Sequence, residues 1–144
     1  IEQIKKANFD AIKIGDSTTM SKTITEADVI LFAGISGDFN PLHINDQFAK
    51  QSMFEKRVVH GCISSALISA VIGMKLPGPG ALYLDQKVVF KKPVFIGDTL
   101  TVKAVVKEKL LKKEGKMKIL ILETNVYNQD DVLVTEGQAS VMVM

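Results

Sequence analysis

Two side chains in this sequence are suited to moving protons near neutral pH and stand close enough to work together. They are Asp38 and His43, in the octapeptide Ser36-Gly37-Asp38-Phe39-Asn40-Pro41-Leu42-His43. Pro41 fixes its own φ and drives Asn40 out of the helical region, so the segment is expected to interrupt the helix before it and form a shaped loop. A carboxylate and an imidazole converging on one water can between them carry out both proton transfers of an addition or elimination, or direct that water at a carbonyl. A second histidine follows in Val59-His60-Gly61, where the backbone is expected to matter more than the ring. His43, His60, Cys62 and Asp46 show neither His-x-x-x-His nor Cys-x-x-Cys spacing, so no metal site is expected. Cys62 falls among the apolar positions of a helix, where thiols are usually inert.

These residues need elements to position them. Residues 1–15 read as a lead-in ending at the Gly15-Asp16 turn, and the β-branched run from Thr18 to Ile24 as a first strand. Thr25 offers an N-cap with Glu26 and Asp28 in the first turn, and Val29, Ile30, Phe32 and Ala33 supply an apolar face up to Gly34. Asn45 can cap a short helix over 46–50, after which a polar, exposed segment runs to Arg57. Gly61 then opens the longest helix, apolar on nearly every side and therefore expected to be buried all round, with Pro77-Gly78-Pro79-Gly80 ending it.

The remainder reads as strands. Leu82, Leu84, Val88 and Phe90 are expected on one face of the first, and Leu100, Val102, Ala104 and Val106 on one face of the next. A hairpin tip at Lys112 to Lys116 and a turn at Asn128 to Asp131 separate two more. In the last, Thr135, Gly137, Ala139, Val141 and Val143 share a face small enough for a helix to approach. One long helix followed by consecutive antiparallel strands predicts an α+β domain, a sheet wrapped around a central helix, which is the hot-dog fold.

With 144 residues, 47% of them hydrophobic, the chain is the size of one domain, taken as 1–144. Lys+Arg 18 against Asp+Glu 16 gives a net charge of only +2, which argues against nucleic acid or an anionic membrane as partner. No apolar run reaches the roughly 20 residues that span a bilayer. The single cysteine excludes an intrachain disulfide and suits the cytoplasm. The chain begins at Ile1 rather than Met, from which we expect an upstream segment to have been trimmed.

The ordered set of octapeptide, Val59-His60-Gly61, buried helix and Pro93-Val94-Phe95-Ile96-Gly97-Asp98 resembles the MaoC-like hydratases, most closely the single-domain (R)-specific enoyl-CoA hydratases, from about Thr18 to the end. The resemblance implies a homodimer that adds water reversibly to trans-2-enoyl-CoA, with coenzyme A as part of the substrate and no separate cofactor. It makes Asp38 and His43 the catalytic dyad, puts the thioester oxygen on the Gly61 N–H and has Ser69 support the dyad, with Asn40 also in a supporting role.

A backbone N–H at a helix start is a preorganised donor for an enolate-like oxygen. Ser65 and Ser69 follow Gly61 at i+4 and i+8, which predicts all three facing one site. Ser65 and Ala66 are expected to touch the substrate. Three alternatives accompany this reading: a dehydratase acting on 3-hydroxyacyl thioesters of acyl carrier protein, a non-catalytic acyl-thioester-binding or dimerisation module, and a hot-dog thioesterase. The intact Asp38/His43 pair argues against the module.

Overall fold

The computed structural model describes residues 3–144; Ile1 and Glu2, the start of the expected lead-in, lie outside the described residues. Strands β1 (Ser17–Thr23), β2 (Ala81–Phe90), β3 (Thr99–Lys112), β4 (Met117–Tyr127) and β5 (Leu133–Val143) pair antiparallel in the order β1-β3-β4-β5-β2. Helices α1 (Glu26–Ser36), α2 (Pro41–Ile44), α3 (Asp46–Lys50) and α4 (Gly61–Met74) fall between β1 and β2 in sequence. The sheet curls around one side of α4. Leu100, Val102, Ala104 and Val106 of β3 are fully buried in the core with Ile68, Val71 and Ile72 of α4. Burying each of these Leu, Val and Ile side chains contributes about 1.5–3 kcal/mol.

Local chemistry sets the helix starts where the sequence places them. Thr25 and Asp28 form a reciprocal capping box, Thr25 Oγ1 accepting from the Asp28 N–H at 3.2 Å and Asp28 Oδ2 from the Thr25 N–H at 2.9 Å. The Thr25 N–H holds the Asp28 carboxyl below its ordinary range against the opposing cost of burial, with Lys22 assisting. The Asn45 side chain caps α3 by accepting from the Phe48 N–H.

Five expectations need correction. Helix α1 does not stop at Gly34 but runs to Ser36, where Gly37, at φ 80°, adopts the left-handed conformation that ends it. The octapeptide is only partly loop, because Pro41 is well suited to a first helical position and His43 lies in the one-turn helix α2. In β2 a register shift between Tyr83 and Asp85 turns Leu82 and Leu84 outward, while Val88 stays packed against the core. Arg57, expected to be exposed, is only 9% exposed. Helix α4 is not enclosed: a single curled sheet covers one side, and Cys62, Ala66, Ser69 and Met74 face outward.

Two further features were not foreseen. A Cβ at Gly137 would come within 2.6 Å of the Thr124 carbonyl oxygen, so the small residue there serves the neighbouring strand rather than the helix. The β4–β5 pairing lapses between Glu123↔Gln138 and Val126↔Thr135 without a change of register, and Asn125 Oδ1 takes the Gly137 N–H instead. The lead-in is also docked. Phe9 is buried in the core, Lys109 Nζ donates to the Phe9 and Ile12 carbonyls at 2.8 and 2.6 Å, and the Ala7 N–H bonds Pro79 O.

Candidate active site

The turn that carries Asp38 is built by short-range hydrogen bonds. Ser36 Oγ donates to Phe32 O and accepts from the Asp38 N–H, and Asp38 Oδ1 accepts from the Asn40 N–H at 3.1 Å. Asn40 Oδ1 caps α2 through the Leu42 N–H, so Asn40 shapes the backbone between the two candidate residues and makes no side-chain bond to either. Asp38 Oδ2 then stands 3.9 Å from His43 Nε2. That is too long for a direct hydrogen bond and suits a water bonded to both.

The chemistry of its partner fixes the His43 tautomer. His43 Nδ1 lies 2.6 Å from the Val58 carbonyl oxygen, which can only accept, so in the neutral ring Nδ1 carries the hydrogen and Nε2 presents a lone pair. His60 is the mirror case. Its Nε2 donates to the Asp38 carbonyl at 2.9 Å, and its Nδ1 is buried without a partner among the described residues. The two imidazoles stack with centroids 3.9 Å apart, and Phe32 meets His60 edge-on. The His60 ring therefore ties the Asp38 backbone to the floor beneath His43, a role larger than sequence reading gave it.

Ligand atoms of Asp38, His43 and His60 come within 4.8 Å of one another. Imidazole lone pairs lie in the ring plane, and two rings stacked with 29° between their planes cannot aim them at one cation.

His43 forms one wall of a mostly apolar pocket of about 390 Å³ that also includes Gly61, Ser64, Phe90 and Thr135, with Lys91 and Lys92 on its lining. Gly61 is the first residue of α4, no side chain caps that end, and its N–H has no acceptor among the described residues. A Cβ at Gly61 would press to 3.0 Å on the Phe90 ring, so only glycine fits without moving that ring.

The expected line of Ser65, Ala66 and Ser69 does not enter this pocket. Ala66 lines a separate apolar groove with Leu31, Phe32 and Ile35 of α1, and Ser69 is exposed. The serine that shares this pocket's lining with His43 is Ser64, which is 3% exposed. At about 100° per residue, i+3 and i+4 lie on opposite sides of the line through Gly61, and the sheet covers the i+3 side.

Arg57 was also missed. Its Nε donates to the His43 carbonyl at 2.7 Å, and its Nη1 to both oxygens of Glu26 at 2.9 and 2.7 Å. A charged residue in a polar run carries no signal of this in sequence.

Fold and site together define a hot-dog domain whose acid and imidazole are spaced to hold a water beside the open N-terminus of its long helix. The MaoC-like domain model matches residues 10–128, and the chain belongs to that family. It is similar to an (R)-specific enoyl-CoA hydratase of Rhodospirillum rubrum, at 44% identity over 135 residues that cover 94% of this chain and 90% of that protein. Among solved structures it resembles the unliganded R-hydratase of Pseudomonas aeruginosa, with TM-score 0.88, 38% identity and coverage of 96% of this chain and 86% of that one. The (R)-hydratase of Aeromonas caviae superposes with TM-score 0.85 at 36% identity, over 93% and 98% of the two chains. The family and fold class expected from sequence both stand.

Proposed function

We propose that this chain, acting as one catalytic domain over 1–144, is an (R)-specific enoyl-CoA hydratase that adds water reversibly across a trans-2-enoyl-CoA to give the (R)-3-hydroxyacyl-CoA. The observation that carries the reading is the 3.9 Å gap between Asp38 Oδ2 and the lone pair of His43 Nε2. A water in that gap donates one hydrogen to each acceptor and turns its own lone pairs outward, toward an electrophilic β-carbon. One hydrogen stays on the oxygen that becomes the product hydroxyl. The other is taken by its acceptor and returned to the α-carbon, so one site on one face serves both transfers and the addition is syn.

Charge developing on the thioester oxygen needs a donor, and the unpaired Gly61 N–H at the start of α4 supplies one. The R configuration follows the specificity named for the similar proteins. No metal or cofactor is required beyond the coenzyme A of the substrate. A cytoplasmic setting fits the lone, exposed Cys62, and no described helix is long and apolar enough to cross a membrane.

The functional unit in this reading is a homodimer. Strand β2 is paired on one side only, Leu82, Leu84 and Val89 are exposed along it, and the outward side of α4 carries the small residues Cys62, Ala66 and Ser69. An unpaired edge beside a small-residue helix face is a surface that a second copy can cover. Sedimentation equilibrium at micromolar concentration is expected to give twice the chain mass, and a monomer there sinks the dimer.

The test of the activity is crotonyl-CoA. Loss of enoyl absorbance without free thiol marks hydration, and thiol release marks a thioesterase. Lys91 and Lys92 offer positive charge to a coenzyme A or to an acyl carrier protein, so kcat/KM on the two carriers decides between hydratase and carrier-protein dehydratase. No turnover on either carrier leaves only a binding module.

A further inference from the structure

We propose that Arg57 is the positioning residue of the proton-transfer pair, fixing the orientation and tautomer of His43, and that Glu26 in turn fixes Arg57. The inference rests on the reading of His43 as a proton-transfer group and adds the device that aims it.

His43 belongs to α2, a helix of a single turn, which has almost no stability of its own. Something outside must hold it, and residues 57 and 58 do so at three points. Arg57 Nε donates to the His43 carbonyl at 2.7 Å, the Val58 N–H donates to Leu42 O at 3.2 Å, and Val58 O receives the His43 Nδ1–H at 2.6 Å. The last bond sets the tautomer that leaves Nε2 free to accept. Arg57 anchors this bracket, because its Nη1 is held by both carboxylate oxygens of Glu26 in the first turn of α1, with Asp46 Oδ1 at 3.7 Å at the start of α3. One guanidinium thus registers three helices against the carbonyl of the catalytic residue.

Stability is a poor explanation for this arrangement. A buried ion pair is close to neutral against a well-packed apolar substitute, and exposed pairs contribute little. Here Nη2 is also buried without a partner among the described residues, a cost that packing alone would not retain. Geometry explains it better. The planar fork directs Nε and Nη1 along two fixed lines, one to His43 and one to Glu26, which a lysine ammonium cannot reproduce.

The test uses the full chain and two variants, Arg57→Lys and Glu26→Gln. The chain holds only two histidines, so nitrogen-15 spectra of the neutral rings contain one Nδ1–H tautomer from His43 and one Nε2–H tautomer from His60. In Arg57→Lys we expect His43 to become a tautomer mixture while the His60 signal stays. We also expect kcat on crotonyl-CoA to fall about a hundredfold, as mispositioning by an ångström does, with KM within about twofold. Glu26→Gln, which leaves the guanidinium in place, is the second variant should Arg57→Lys fail to fold, and should show the same pattern more weakly. A His43 ring still locked as Nδ1–H in a folded variant overturns the proposal, and so does a kcat loss matched by loss of folded protein. If the unsubstituted chain does not hydrate crotonyl-CoA, the reading of the site falls, and the tautomer spectra still decide what Arg57 does.

Discussion

Replacing Asp38 by Asn should do more than remove a charge. Asp38 Oδ1 accepts from the Asn40 N–H, so the amide of the variant must keep its oxygen there and turn its NH₂ into the place of Oδ2, facing His43. With acceptors 3.9 Å apart and each bond about 2.8 Å, the bridging water is held at an angle near 88°, within reach of its own H–O–H geometry. Once an NH₂ donates into that gap, the water must accept from one side and can offer a hydrogen only to Nε2. One of its two lone pairs is then engaged, and the orientation that turned both toward the β-carbon is lost. The loss should lie at the upper end for general acid–base groups, about 10⁴ in kcat, or about 5.5 kcal/mol of barrier. KM should hold, because Asp38 is not a wall of the pocket that contains Gly61, and stability should stay within about 0.5 kcal/mol, since the Asn40 contact survives. The assay is the initial rate of enoyl absorbance loss with crotonyl-CoA, alongside circular dichroism. His43→Gln should cost a similar factor, and the double variant little more than either alone. A folded Asp38→Asn enzyme within tenfold of the original rate would refute the bridging water.

Hydration of crotonyl-CoA in deuterated water should give a single (R)-3-hydroxybutyryl product with syn deuterium at C2, read by chiral chromatography and NMR; anti addition would separate the two proton transfers onto different groups. Ser64→Ala removes a hydroxyl from the lining of the pocket, so kcat/KM should fall about three- to tenfold, the worth of one neutral hydrogen bond, while the melting temperature holds. Unchanged kcat/KM would leave Ser64 a packing residue. Tyr83 is pushed up to about 12, first by burial and then by the Asp85 carboxylate, and its hydroxyl has no partner among the described residues. The unfolded phenol ionises near 10.0, so between there and about 12 the native state binds more protons and stability falls as pH rises. Tyr83→Phe should flatten that alkaline slope in denaturant titrations and be neutral or slightly stabilising near pH 7; an unchanged slope would assign it to other groups.

What the sequence revealed well was whatever neighbours decide. The Thr25 N-cap, the Asn45 cap, the start of α4 at Gly61 and the strand alternation of β3 depend on residues within a turn or two, and each stands where its pattern placed it. What stayed hidden depends on partners far along the chain. Arg57 meets Glu26 across 31 positions, and no local pattern distinguishes it from a solvated charge. Ser64 rather than Ser65 lines the pocket with His43 because the sheet lies on one side of α4, and apolar residues all round that helix conceal which side. The shift at Tyr83/Asp85 in β2 is likewise invisible in a run that alternates acceptably in either register.

The docking of the lead-in sets an order on how this chain is made. Residues 7–15 are synthesised well before the strand that receives them: Phe9 and Ile12 are held by Lys109, Gly15 by Val106, and β1 pairs with β3. A nascent chain therefore carries Phe9, Ile12 and β1 without their partners until β3 has been made. Closure of those long loops comes late and slowly, after α4 and the β3–β4 hairpin have formed a surface to receive them. Folding of these parts thus runs against the order of synthesis, and residues 7–15 with β1 are the ones most in need of protection on the ribosome.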